Sequence, residues 1–138
     1  MNTGPANWSV SHLDDTVALY IALLKSILDG KNPDHNREGY YLAASGNVSW
    51  DDMYDAFAGA LLNSNVIDSP NDELADESAI KGIAKVLGCP DYHVPSEFGG
   101  KCTLTTKHGE SLDWKSQHEP AHILRTAQQE VDFVLKFL

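Results

Sequence analysis

The sequence predicts a small α/β (α+β) domain in which a two-stranded parallel βαβ unit packs against about four helices. Three observations carry that reading. Trp8 to Leu13 reads as a short strand with Trp8, Val10 and His12 on one face. A long apolar stretch follows and stops at Gly30, a residue suited to the left-handed position after a helix. Gly39 to Ala44 then supplies a second strand, and a strand–helix–strand of this length closes as a right-handed unit with parallel strands.

The elements follow in order. Residues 1–6 hold Gly4 and Pro5 and are expected to fray. Asp14 or Asp15 caps the first helix, which runs to about Asp29. Its stripe of Val17, Tyr20, Ile21, Leu24, Ile27 and Leu28 is joined by Ala18, Leu19, Ala22 and Leu23, so it reads as buried on all sides. Lys31 to Glu38 is a polar loop before the second strand. Ser49, with Asp52 three residues on, opens a helix whose inner face is Met53, Phe57, Ala60 and Leu61. Asn63 to Ala75 is a polar loop. Ile80, Ile83, Ala84 and Leu87 mark a third helix, ended by Gly88 and Pro90. Tyr92 to Gly100 is irregular, and Thr103 to Ser111 is weakly helical because threonines and Gly109 lower propensity. The last helix begins at Pro120, with Ile123, Leu124, Ala127, Val131, Val134, Leu135 and Leu138 on one face.

The chain has 138 residues and reads as one domain over 1–138. Size scaling gives a folded surface of about 7,000 Å² against about 22,000 Å² unfolded, enough burial for a core. A formal charge of −10 repels phosphate backbones and anionic lipid, which argues against nucleic-acid and membrane partners. Cys89 and Cys102 do not make a disulfide framework, and the first residues lack the charged and apolar regions of a signal peptide. The expected address is cytoplasmic, where the Asn7-Trp8-Ser9 and Asn47-Val48-Ser49 glycosylation patterns have no consequence.

Several constellations bear on chemistry. His118-Glu119-Pro120-Ala121-His122 fits the letters of H-E-x-x-H, a zinc pattern that needs both histidines on one continuous helix. Pro120 breaks such a helix, so no metal is expected there. His12, beside Asp14 and Asp15, suits acid–base work; the plainer alternative makes the aspartates caps and His12 structural. Tyr40, Tyr41 and Trp50 lie near the carboxyl end of the second strand, where open α/β sheets bind ligands, although alternation sends the two tyrosines to opposite faces. Cys102 is a candidate contact to substrate, or a buried inert thiol. His108 reads as solvated, and the acidic run Asp68, Asp72, Glu73, Asp76, Glu77 lacks the spacing of a calcium loop and reads as a solvated helix entry.

Asn7 through Tyr20, with Val10-Ser11-His12-Leu13-Asp14-Asp15 at its centre, resembles a segment of the extended short-chain dehydrogenase/reductase family, the sugar-nucleotide epimerases and dehydratases. Gly39–Ala44, Val48–Asp52, Gly99–Leu104, Leu112–Lys115 and Glu130–Asp132 resemble later segments of the same family, fungal-type members most, with Asp113 and Ser116 departing from its Gly and Pro. The resemblance covers the carboxyl-terminal, substrate-shaping part alone. No G-x-G-x-x-G opens a βαβ unit, and no tyrosine is followed four residues later by lysine, so neither a nicotinamide cofactor nor redox chemistry is expected.

Two functions follow. The first is a cofactor-independent isomerase, cyclase or lyase of the secondary-metabolism kind acting on a small molecule. In that reading His12, Asp15, Tyr40 and Tyr41 do the proton work, and Trp50 and Cys102 line the substrate. The second is a non-catalytic remnant that pairs with itself or with a relative. Both expect a homodimer, formed through Leu19, Ala22 and Leu23 or through the Ile123–Leu138 helix.

Overall fold

The computed structural model describes residues 6–71 and 73–138. Of residues 1–6, expected to fray, 1–5 lie outside the described residues, as does Asp72 of the acidic run, while the Ala6 carbonyl is hydrogen-bonded. In chain order the elements are β1 (Asn7–Val10), α1 (Leu13–Leu28), β2 (Gly46–Ser49), α2 (Trp50–Asn63), α3 (Glu77–Leu87), α4 (Val94–Gly99), α5 (Lys107–Glu110) and α6 (His122–Leu135). Single 3-10 turns occupy Asn36–Glu38 and Asp91–His93.

The predicted parallel βαβ unit is not what forms. The β1–β2 sheet is antiparallel: the Ser45 N–H donates to the Val10 carbonyl and the Trp50 N–H to the Ala6 carbonyl, so one strand rises as the other falls. The second strand is also not Gly39–Ala44, which forms no ladder, but Gly46–Ser49. The physical reason lies in the return segment. α1 is about 24 Å long, whereas the chain from 29 to 45, extended, reaches about 50 Å. It therefore carries the chain back past the helix and reverses the crossover. Gly46, at φ 136°, makes the bend into β2.

Local signals read well. Ser49 Oγ accepts from the Asp52 N–H at 3.1 Å, the N-cap half of the expected box, and the Asp52 carboxylate accepts from the Ser49 hydroxyl at 2.6 Å. Gly30 and Gly88 take φ of 72° and 65° after their helices. Asp76 caps α3 by accepting from the Ala79 N–H, in keeping with an acidic helix entry. Tyr92–Gly100 is more ordered than expected, since it carries α4. α1 is capped by neither aspartate: the His12 ring accepts from the Asp14 N–H at 3.2 Å.

By contact, the described residues divide into two compact units, each built from separate pieces of chain. Residues 6–8, 49–102 and 124–138 form one. In it Ala60 of α2 packs on Ala127 and Val131 of α6, with Phe57, Leu61 and Leu135 around them. Trp50 lies against Trp8 and Tyr54, and its indole N–H donates to the Gly100 carbonyl at 2.7 Å. The second unit comprises residues 9–48 and 103–123. Its centre is the inner face of α1, where Leu19 is buried and Gly109 lies so close to Leu19 and Trp114 that a methyl group there would overlap the indole.

α1 is not buried on all sides. Asp15, Leu19 and Ser26 face inward, while Leu13, Val17, Tyr20, Ile21, Leu24, Ile27 and Leu28 are between 48% and 76% exposed.

Candidate metal centre

Asp15 sits one turn into α1 and is 1% exposed, the most enclosed polar residue described. Its main-chain carbonyl accepts from the Trp114 indole N–H at 3.0 Å. Its carboxylate accepts from the N–H groups of Gln117 at 2.8 Å and His118 at 3.1 Å, and meets His118 Nδ1 at 3.1 Å. Burial raises the carboxyl's pKa, but the Gln117 and His118 donors and the His118 ring outweigh it, so the group lies below its ordinary value of 3.8. Asp15 is thus an ionised carboxylate that fixes the 114–118 loop to α1.

That loop delivers His118, and the turn after it delivers His122. His118 precedes the last helix, as the missing N–H of Pro120 requires, and that helix, α6, starts at His122 and not at Pro120 as expected. A tight turn, closed by the His122 N–H donating to the Glu119 carbonyl at 2.9 Å, carries the chain between the two histidines. Pro120 packs on Gly46: a Cβ at that glycine would stand 2.6 Å from the proline Cγ.

His12, the residue that caps α1, completes the group. Its ring stacks on His118 with centroids 3.8 Å apart and an interplanar angle of 18°, and meets His122 edge-on at 5.1 Å; His118 and His122 are 4.7 Å apart. One nitrogen from each of His12, His118 and His122 falls within 4.8 Å of the others, all three residues partly buried. Among the described residues this is the one grouping of histidine, cysteine, aspartate or glutamate side chains close enough to hold a metal ion. Asp15 holds the Nδ1 side of His118, which leaves Nε2 as the donor atom, the arrangement in which a carboxylate orients a metal-bound imidazole.

Of the residues picked from the sequence, His12 and Asp15 meet here, through His118. Tyr40 is 71% exposed. Tyr41 donates its hydroxyl to the Asp34 carbonyl at 3.2 Å and lies edge-on to His108 at 5.6 Å. Burial, with the Asp34 carboxylate, pushes its phenol up, which makes it a poor base. Tyr41 lines a cleft of about 440 Å³ with Leu23, Ile27 and the 31–36 loop, a cleft His12 does not line. Trp50 and Cys102 belong to the other unit, where the Cys102 N–H donates to the Asn7 carbonyl and the sulfur is in no disulfide. His118 and His122 were visible in the sequence as an i, i+4 pair; their meeting with His12 was not.

No family model, curated protein or solved structure matches the chain. The functional reading therefore rests on this geometry.

Proposed function

We propose that the chain binds a zinc-class divalent cation through His12, His118 and His122, with Asp15 as the carboxylate behind His118. The carrying observation is the approach of three imidazole nitrogens to within 4.8 Å of one another. Tetrahedral zinc at about 2.05 Å from each nitrogen sets donors about 3.4 Å apart, so closing the site takes movements of about 1 Å. The His12 and His118 rings are stacked nearly parallel, and an imidazole lone pair lies in its ring plane, so uptake of the ion turns one ring until the lone pairs converge. Imidazole donors suit zinc, copper and nickel and reject magnesium and calcium, which take oxygen. The net charge of −10 concentrates cations around the chain. Three neutral donors leave the ion its full charge and an open position, the arrangement that acidifies bound water or polarises a carbonyl.

This departs from the expectation that Pro120 precludes a metal: the proline precludes a helical pair, and a turn with a distant third histidine replaces it. The test is metal analysis and calorimetry on tag-free protein. About one zinc per chain is expected, lost in His12→Ala, His118→Ala and His122→Ala, with calcium and magnesium inert. Substoichiometric zinc, or zinc retained in all three variants, rejects the proposal.

A second reading, proton transfer without cofactor, is favoured by the Asp15–His118 pair alone, since a carboxylate on Nδ1 leaves Nε2 to take a proton. It moves the base from His12 to His118. Turnover that survives chelation and disappears in His118→Gln favours it over the metal.

A further inference from the structure

We infer that the exposed face of α1 is covered by a second copy of this chain, packed antiparallel about a twofold axis. The inference is independent of the metal centre and rests on how α1 is built. Its inward face, through Asp15, Leu19 and Ser26, is used within its own unit. At 100° per residue the exposed apolar residues lie on the opposite side, and Leu13, Val17, Tyr20, Leu24 and Ile27 follow one another at alternating intervals of four and three. That is the spacing of a helix–helix seam. Hydrophobic side chains at these positions, each about half exposed or more, cannot be explained as a solvated face.

The area fits a second copy. The seven side chains expose about 700 Å² together, so pairing two copies buries about 1,400 Å², within the range of stable specific interfaces.

The pattern also selects the orientation. Tyr20 and Ile21 lie at the middle of Leu13–Leu28. An antiparallel pairing centred between them sets Leu13 on Leu28 of the other copy, Val17 on Leu24, and Tyr20 on Ile21, so that six of the seven exposed apolar residues meet another, while Ile27 falls opposite Asp14. Asp14 and Lys25 lie on the same flank of the seam, and antiparallel packing brings like flanks together, so Asp14 of one copy approaches Lys25 of the other. A parallel pairing leaves both charges without that partner and aligns the two helix dipoles. A twofold axis closes the interface and leaves no surface for filament growth.

The expected homodimer is therefore placed on a different face from Leu19, Ala22 and Leu23: Leu19 is buried inside its own unit. Sedimentation equilibrium of the full chain from 1 to 100 µM (roughly the range that separates weak from stable pairs) is expected to show a dimer. Leu24→Asp, at an exposed position that needs no repacking, is expected to give a monomer with unchanged circular dichroism. In a Cys89→Ser, Cys102→Ser background, Leu13→Cys with Leu28→Cys is expected to cross-link two chains, and Leu13→Cys alone is not. A monomer throughout that range, a Leu24→Asp protein as dimeric as wild type, or efficient cross-linking of Leu13→Cys alone overturns the inference. A monomeric wild type that instead binds neutral vesicles or another protein through Leu24 overturns it equally.

Discussion

Asp15→Ala is the perturbation that most directly tests how the centre is held. The side chain is 1% exposed and accepts from two main-chain N–H groups and one ring nitrogen, all within 3.1 Å. Alanine leaves the Gln117 and His118 N–H groups facing a space from which water is largely excluded. Each orphaned donor costs about 1–3 kcal/mol, so a loss of about 3–5 kcal/mol is expected, against about 5–15 kcal/mol for a whole domain. Asparagine keeps one accepting oxygen but turns an amide N–H toward a second donor, and about 2 kcal/mol is expected. Urea unfolding followed by tryptophan fluorescence reads this directly, because the Trp114 indole is hydrogen-bonded to the Asp15 carbonyl. In parallel, zinc affinity should fall about 10–100-fold in Asp15→Asn, the usual consequence of removing the carboxylate behind a ligating histidine. An Asp15→Ala protein within 0.5 kcal/mol of wild type, roughly the effect of an ordinary surface change, would refute the view that this carboxylate holds the 114–118 loop.

Two further outcomes follow. Gly46→Ala should cost about 2–3 kcal/mol and weaken zinc binding with it, because alanine is strained at φ 136° and its methyl overlaps the Pro120 ring in the turn between His118 and His122; thermal melts and zinc titration check both, and a neutral substitution would show that the turn adjusts freely. Because the folded state holds Asp15 below 3.8, its contribution is complete above that value and is lost as pH falls through the lowered folded one. Wild type should lose stability below about pH 4 more steeply than Asp15→Asn, and superimposable acid limbs would assign the acid sensitivity elsewhere.

What could be read from the chain was local. The Ser49–Asp52 box, the glycine stops at 30 and 88 and the Asp76 helix entry depend on residues within one turn of each other, and each was visible as a short pattern. The strand pairing was not, because Tyr40-Tyr41-Leu42 resembles a strand more than Gly46-Asn47-Val48-Ser49 does, and direction depended on how far a structureless segment travels. The apolar circumference of α1 was legible, but hydrophobicity says which faces shun water and not which neighbour covers them. The break at Pro120 was read correctly, yet a local rule about helices has nothing to say about residue 12 meeting residues 118 and 122. Asp15 was singled out for its place beside His12, while its partners lie a hundred residues away.

The histidine cap of α1 has a consequence of its own. To accept from the Asp14 N–H, His12 Nδ1 must present a lone pair. If an ion is taken on Nδ1, that lone pair is used; if it is taken on Nε2, a neutral ring must carry its hydrogen on Nδ1. Either way the ring can no longer serve the amide, and the Asp14 carboxylate, 3.7 Å from Nδ1, stands close enough to draw a hydrogen placed there. Loading the centre therefore unlocks the first turn of the helix it sits on. The Asp14 amide becomes a built-in occupancy gauge: its exchange with deuterated solvent should quicken on loading, while the amides of Gln117 and His118, held by Asp15, slow.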